Sequence, residues 1–151
     1  MEEKFRVIIA GGRDFTDFRK LCKVAMHMLQ HKENIEIVSG TANGADKLGE
    51  QFARFMGYAI KEFPASWDEV EDKPEYQIGY TKDGKPYWKI AGIMRNKEMS
   101  EYSDALIVFW DKKSTGTKDM IDRAKANNLK VKIVTYEKEK EDEHKEWWGK
   151  I

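Results

Sequence analysis

Short apolar runs alternate along the chain with longer segments in which apolar side chains recur every three or four residues. The short runs predict five β-strands, at residues 5–10, 35–38, 58–63, 105–110 and 131–135. The amphipathic segments predict four helices, at residues 17–31, 45–56, 90–102 and 117–127. Strands that alternate with helices are typical of a parallel sheet covered on both faces. The pattern therefore predicts an α/β protein, a three-layer α/β/α sandwich over residues 1–136.

Residues 64–89 interrupt this alternation and are long for a connection between a strand and a helix. Within them, Asp83-Gly84 separates two short β-prone segments, and this dipeptide favours a type I′ hairpin turn. We therefore expect a small β-hairpin insertion at about residues 76–89. Its aromatic side chains either stack on a bound base or anchor the insertion to the domain; they are Trp67, Tyr76, Tyr80, Tyr87 and Trp88.

The C-terminal tail, residues 137–151, is rich in charged residues of both signs. Such a composition predicts a solvated helix or a frayed end. Trp147 and Trp148 are unusual in a solvated tail, and we expect their rings to pack on this subunit or on a neighbouring one. A homodimer is therefore one of the expected assemblies.

Charge and cysteine content narrow the class of protein. The 27 basic and 27 acidic residues cancel, so the chain lacks the basic excess of a dedicated nucleic-acid binder, although a local patch stays open. The single Cys22 excludes an internal disulfide and suits a reducing compartment. Neither a signal peptide nor an apolar run of roughly 20 residues is evident, so we expect a cytoplasmic protein without a membrane partner.

Motifs for a metal or a common cofactor are missing from the sequence. His27 and His31 are four residues apart on a predicted helix, but no further ligand accompanies them, so we expect no metal. Thr16 stands where a dinucleotide-binding strand-turn-helix carries its third glycine, and no Walker A sequence occurs. We therefore expect no resident cofactor.

Glycine-containing turns follow three of the predicted strands, at residues 11–14, 39–46 and 114–117. Glycine allows backbone N–H groups to approach an anion, and the helix that each turn opens attracts negative charge to its N-terminus. Turns that follow parallel strands lie along the same edge of the sheet. The three turns therefore predict a site for a phosphate-bearing ligand, most simply a nucleotide.

The order of the motifs resembles the SLOG superfamily, and within it the YspA/YpsA-related group. The motifs are Gly-Gly-Arg-Asp-Phe at 11–15, Ser-Gly-x-Ala-x-Gly-Ala-Asp at 39–46, Trp67, Ala-Gly-x-x-Arg-Asn at 91–96 and Gly-Thr at 116–117. The resemblance covers about residues 5–134. It implies a Rossmann-like fold with strand order 3-2-1-4-5. It also implies binding or sensing of a nucleotide or an ADP-ribose-like ligand at the C-terminal edge of the sheet.

The resemblance and the glycine turns together give a set of candidate ligand-binding residues. They are Gly11, Gly12, Arg13, Asp14, Ser39, Gly40, Gly44, Asp46, Trp67, Arg95, Asn96, Ser114, Gly116 and Thr117.

Two arginines would carry the polar recognition. Arg13 would clamp a phosphate through paired hydrogen bonds that a lysine cannot reproduce, although a structural salt bridge would also explain it. In related proteins, the position of Arg95 and Asn96 faces the pocket. Gly12 would let the backbone approach the ligand, and residues 39–40 would meet a phosphate or a ribose hydroxyl.

Some candidates have an alternative as helix caps. Asp46 falls in the first turn of its helix, where a carboxylate either satisfies backbone N–H groups or contacts the ligand. Gly116 and Thr117 would bind phosphate at a helix start, whereas plain N-capping of the same helix by Ser114 or Thr115 is the alternative.

The resemblance also includes enzymes, the cytokinin-activating phosphoribohydrolases, whose motif Pro-Gly-Gly-x-Gly-Thr-x-x-Glu ends in a catalytic glutamate. Met120 stands at that position here, and methionine neither stabilises a sugar cation nor activates water. Asp119 is one residue away but about 100° around the helix. We therefore expect a binding or sensing module rather than an enzyme.

Two alternatives stay open. One is an N-glycosidase or phosphoribohydrolase acting on nucleotides, whose catalytic carboxylate would have to come from Asp14, Asp46 or Asp111. DprA-like binding of single-stranded DNA is the other alternative, since the three lysines Lys112, Lys113 and Lys118 follow the fourth strand.

Overall fold

The computed structural model describes residues 3–137. Trp147 and Trp148, and with them the expected packing of the tail and the homodimer, lie outside the described residues and stay predictions.

Seven strands occur in the described part of the chain: β1 (Phe5–Gly11), β2 (Ile35–Ser39), β3 (Ala59–Glu62), β4 (Ile78–Tyr80), β5 (Pro86–Trp88), β6 (Ala105–Trp110) and β7 (Lys130–Thr135). Five of them form one parallel sheet in the order β3-β2-β1-β6-β7. Counted within this sheet alone, the order is the expected 3-2-1-4-5. The remaining two, β4 and β5, pair as an antiparallel hairpin within the predicted insertion.

Between residues 3 and 137, four α-helices cover the sheet: α1 (Phe18–Leu29), α2 (Ala45–Met56), α3 (Ala91–Tyr102) and α4 (Thr115–Ala126). On one face, Ile9 packs in a cluster with Leu21 of α1 and Phe52 of α2. On the other face, Ile8 packs with Met99 of α3 and Met120 of α4. The predicted Rossmann-like three-layer sandwich is therefore confirmed. No helix within residues 3–137 combines the length and the apolar character that a membrane span requires.

Local chemistry sets the ends of the helices. Asp17 caps α1, because its side chain accepts a hydrogen bond from the Lys20 amide at 3.0 Å. Gly57 ends α2 in the left-handed conformation (φ 76°), and its amide bonds to the last carbonyls of the helix. α4 begins at Thr115, two residues earlier than predicted, with Ser114 as its N-cap.

The turn of the hairpin differs from the prediction. A type I′ turn centred on Asp83 and Gly84 would need positive φ at both residues, but only Gly84 has it (φ 82°). The Gly84 amide instead bonds to the Thr81 carbonyl at 2.9 Å, which makes Lys82 and Asp83 the central residues. The loop is therefore one residue longer than a two-residue turn, with glycine in the left-handed position that follows.

The sheet reverses its winding at β1, and this positions the site. β1 pairs with β2 on one side and with β6 on the other, and its last residue, Gly11, lies opposite Phe109. The connection from β1 leads to β2, whereas β6 is reached only after the hairpin and α3. Loops that leave neighbouring strands in opposite directions open a crevice at their carboxyl ends.

Candidate functional site

A cavity with two compartments occupies this crevice. The large compartment has a volume of about 630 Å³, and the small compartment, beside it, has about 290 Å³. Arg13, Ala42, Trp67 and Arg95 line both. Volumes of this size suit a small organic ligand.

The structure brings most of the predicted residues to this cavity. The large compartment is lined by the candidates Gly11, Gly12, Arg13, Asp14, Asp46, Trp67, Arg95, Asn96, Ser114, Gly116 and Thr117. Gly40 lines the small compartment. The three predicted turns therefore converge on one cavity, whereas Ser39 and Gly44 do not line it.

Arg13 and Arg95 form a pair of positive charges at the boundary between the compartments. A guanidinium N–H of Arg95 donates to the Gly40 carbonyl, and its Nε donates to Asn96 Oδ1 at 3.2 Å. Burial lowers the pKa of Arg95, the charge of Arg13 lowers it further, and Asp46 opposes both effects. Two guanidinium groups that repel each other are well suited to a shared anion.

Asp46 ties two loops together behind Arg95. Its carboxylate accepts hydrogen bonds from the amides of Ala42, at 3.2 Å, and of Gly11. It is 5% exposed, and burial raises its pKa to about 6, against the opposing effects of the Ala42 amide and Arg95. The N-cap of α2 is Gly44, which has no side chain to contribute. Asp46 is therefore bonded to neighbouring loops rather than acting as the N-cap residue.

Replacing Asp46 by asparagine is expected to change how stability depends on pH. The raised pKa means that the folded state binds this proton more tightly than the unfolded state, so the stabilisation is present below about pH 4 and is lost as pH rises through about 6. A shift of two units corresponds to at most about 3 kcal/mol. Asp46→Asn should remove most of this fall in the free energy of unfolding, as measured by urea denaturation across the range.

Asp122→Asn is the matched control, because Asp122 is exposed and pairs only with Lys118 in the described structure. Its pH profile should run parallel to that of the unmodified protein. Parallel profiles for Asp46→Asn as well would contradict the assignment of this titration to Asp46.

Gly12 makes room for a neighbouring side chain. A Cβ atom at this position would overlap the hydroxyl group of Tyr136, which follows β7. That hydroxyl donates to Asp14 Oδ1 at 2.5 Å, and the Gly12 amide donates to the Phe109 carbonyl at 3.1 Å. The approach of the Gly12 backbone to a ligand stays a prediction, since the structure explains this glycine through Tyr136.

Ser39 and Gly44 support the cavity wall from behind. The Ser39 hydroxyl is fully buried, donates to Glu50 at 2.6 Å and accepts from the Thr41 amide at 3.0 Å. Gly44 has φ 81°, and a Cβ atom there would overlap the Gly12 carbonyl oxygen. These two residues therefore hold the turn after β2 against the turn after β1.

The start of α4 is capped and carries negative charge. The Ser114 hydroxyl accepts from the Thr117 amide at 3.4 Å, which confirms its alternative role as a cap. Asp111 Oδ1 accepts from the amides of Lys113 and Ser114, both at 2.8 Å. Asp119, one turn into the helix, also lines the large compartment. These carboxylates oppose the binding of phosphate at Gly116 and Thr117, which the helix start alone would favour.

Asp119 belongs to the cavity although sequence reasoning set it aside. Asn96 Nδ2 donates to its Oδ2 at 3.1 Å, and Arg123 Nε donates to both of its oxygens at 3.0 and 3.1 Å. A signal for it was present, because Asp119 follows Gly116 by three residues and so lies on the same side of the helix. Lys89, Ile93 and Met99 also line the large compartment and were not predicted.

The aromatic residues of the insertion divide into side chains that anchor the hairpin and side chains that are exposed. Trp67 and Tyr87 meet edge to face at 6.4 Å, and the Trp88 amide donates to the Trp67 carbonyl at 2.8 Å. These residues anchor the hairpin, whereas Tyr76 and Tyr80 are 77% and 66% exposed. Trp67 is 37% exposed and lines both compartments, so its stacking on a base stays a prediction.

Solved structures of two DNA-processing proteins share this fold. DprA from Streptococcus pneumoniae has a TM-score of 0.62 and 18% identity, with 86% of this chain and 50% of that chain covered. DprA from Helicobacter pylori, which binds single-stranded DNA, has a TM-score of 0.60 and 22% identity, with 97% and 72% covered. This chain thus spans half of the S. pneumoniae protein. At these identities the likeness shows the fold alone.

No curated protein sequence matches the chain significantly. The family model YAcAr, described as the YspA, cpYpsA-related SLOG family, matches residues 5–69. This segment contains the turns after β1 and β2, and Trp67; the motifs at 91–96 and 116–117 lie beyond it. The resemblance deduced from the motifs is therefore confirmed over residues 5–69, where the chain is similar to the YspA, cpYpsA-related SLOG family.

Proposed function

We propose that this protein binds a nucleotide-derived, phosphate-bearing small molecule in the cavity at the carboxyl edge of its sheet. The observation that carries the proposal is the presence of Arg13 and Arg95 on the walls of both compartments. The charge of Arg13 lowers the pKa of Arg95, and Asp46 raises it by the larger amount, so Arg95 lies between a carboxylate and a second guanidinium group. Bringing an anion between the two guanidinium groups removes this repulsion and adds charge-assisted hydrogen bonds.

The remaining lining suits the other parts of a nucleotide. Trp67 presents an exposed edge or face to both compartments, and stacking of a base on an aromatic ring contributes about 1–3 kcal/mol. Ile93 and Met99 give the large compartment an apolar wall. Because ligand pockets combine such apolar walls with a few placed polar groups, this arrangement supports a specific small-molecule site.

Binding or sensing accounts for the site better than hydrolysis does. Met120, at the position of the phosphoribohydrolase glutamate, is 2% exposed and belongs to the core between α4 and the sheet. The carboxylate of Asp119 is engaged by Asn96 and Arg123. Because Asp119 already serves as the hydrogen-bond acceptor for these two side chains, it is a poor substitute for the missing glutamate.

Binding of single-stranded DNA is a second candidate function. It is supported by Tyr76 and Tyr80, which are largely exposed on the hairpin and would act as stacking platforms. The fold shared with DprA is compatible with it. The net charge of zero argues against it, because the neutralisation of phosphates dominates affinity for nucleic acid.

Thermal denaturation in the presence of candidate ligands tests both functions. We expect AMP, ADP-ribose, NAD or a cyclic nucleotide to raise the melting temperature by mass action, with little effect from an oligothymidylate. A shift with oligothymidylate alone, lost steeply as salt increases, would support the second candidate instead. Free base in the incubation mixture, detected by chromatography, would identify an N-glycosidase. No shift with any of these compounds at millimolar concentration would contradict the proposal.

A further inference from the structure

The two compartments differ in charge. Within the described residues, the ionisable side chains that line the small compartment are Arg13 and Arg95. The large compartment adds Lys89 but also four carboxylates, which are Asp14, Asp46, Asp111 and Asp119. The wall of the small compartment therefore carries positive charge and no carboxylate, whereas the wall of the large compartment carries both signs.

The polar groups around the small compartment suit a compact anion. The wall formed by the turn after β2, Gly40 to Asn43, carries no net charge, and the amides of Thr41 and Ala42 donate to Ser39 and Asp46, so the two arginines supply the positive charge. Arg95 donates a hydrogen bond to the carbonyl of Gly40, so this oxygen is paired and repels an incoming anion less. A volume of about 290 Å³ is ample for a phosphate and its attached carbon, and it is less than half the volume of about 630 Å³ that the large compartment offers to the rest of a ligand.

The carboxylates of the large compartment act as acceptors for groups of the protein. Asp111 receives two amides, Asp119 receives Asn96 and Arg123, and Asp14 receives the Tyr136 hydroxyl. These contacts leave negative charge in the wall, where the hydroxyl and amino groups of a ligand are better tolerated than a further anion. A second phosphate in the same space would face like charges instead.

We infer that the preferred ligand carries its phosphate at one end and an uncharged, hydroxyl-bearing group at the other. The phosphomonoester lies between Arg13 and Arg95 in the small compartment, and the sugar and base lie in the large compartment. This inference rests on the proposed function and refines it. A nucleoside monophosphate fits, whereas a molecule with phosphate between two sugars, such as ADP-ribose or single-stranded DNA, brings charge to the carboxylates.

Isothermal titration calorimetry with a matched series tests this inference. The probes are AMP, adenosine, ADP-ribose and the dinucleotide ApA, which carries one internal phosphodiester. We expect AMP to bind at least about tenfold more tightly than each of the others, a difference equivalent to about 1.4 kcal/mol. If ADP-ribose or ApA binds as tightly as AMP, the inference is overturned and the proposed function stands. If none of the four binds, the inference fails, and the proposed function then depends on the result with NAD and the cyclic nucleotides in the thermal denaturation series.

Substitution of Asp119 gives a second, independent readout. Asp119→Asn keeps the shape of the side chain but removes one negative charge from the large compartment, so the preference for AMP over ADP-ribose should narrow. Asp122→Asn makes the same change on the exposed side of α4 and should leave the preference as it is. An unchanged preference in a folded Asp119→Asn protein would contradict the role assigned to the carboxylates.

Discussion

Replacing Arg95 by glutamine is expected to weaken AMP binding by about 30-fold or more. Hydrogen bonds to charged groups contribute about 1.5–3 kcal/mol, and the substitution removes one guanidinium of the pair that faces the ligand. It also leaves Asp46 buried without its facing positive charge, which further disfavours an anion nearby. Calorimetric titration with AMP at neutral pH measures the effect.

Arg19→Gln is the matched control, because Arg19 is exposed on α1 and does not line either compartment. It makes the same change of net charge, and its affinity for AMP should equal that of the unmodified protein. Since Arg95 also holds the Gly40 carbonyl, Arg13→Gln provides a second test on an exposed arginine. Undiminished affinity in both Arg95→Gln and Arg13→Gln would exclude the arginine pair as the phosphate site.

Gly44→Ala is expected to lower the free energy of unfolding by about 4 kcal/mol. Gly44 has φ 81° and ψ −129°, a region almost restricted to glycine, and such strain costs about 1–3 kcal/mol. The new methyl group would also overlap the Gly12 carbonyl, and overpacking of this kind costs about 1–3 kcal/mol more. Urea denaturation monitored by circular dichroism measures the loss.

Gly57→Ala separates backbone strain from overlap. Gly57 also has positive φ (76°), but a Cβ atom there would meet no atom within 4 Å in the described structure. We expect this variant to lose only about 1 kcal/mol. Equal losses at the two positions would show that contact between the turns after β1 and β2 contributes little to stability.

The layers of the fold are predictable because a parallel sheet is buried on both faces. Val7, Ile8 and Ile9 form an apolar run without polar interruption, and all three are buried, with Ile8 on one side and its neighbours on the other. The order of the strands does not follow from periodicity. It came from the family resemblance, since nothing in the apolar run of β1 specifies which strands lie beside it.

A residue of the candidate site could be placed from the sequence only where its position follows from the local sequence, as at the end of a strand. The turn at 11–14 leaves a strand end, so its place at the carboxyl edge follows from the alternation of strands and helices. The hydrogen bond from Asn96 to Asp119 and the lack of room for a Cβ atom at Gly12 depend on contacts between segments that are distant along the chain. The prediction of the hairpin turn type was wrong for a related reason. The dipeptide Asp83-Gly84 suits several turn types, and the pairing of β4 with β5 selects among them.

The hydrogen bond from Tyr136 to Asp14 joins the end of the last strand to the first turn of the chain. During translation, Arg13 in that turn is therefore synthesised long before Tyr136, which is hydrogen-bonded to the neighbouring Asp14. β1 also waits for β6 before its second edge is paired, and contacts so distant along the chain form late during folding. The cavity has residues that follow β6 in its wall as well as the turn after β1, so it is complete only once both segments have been synthesised and paired.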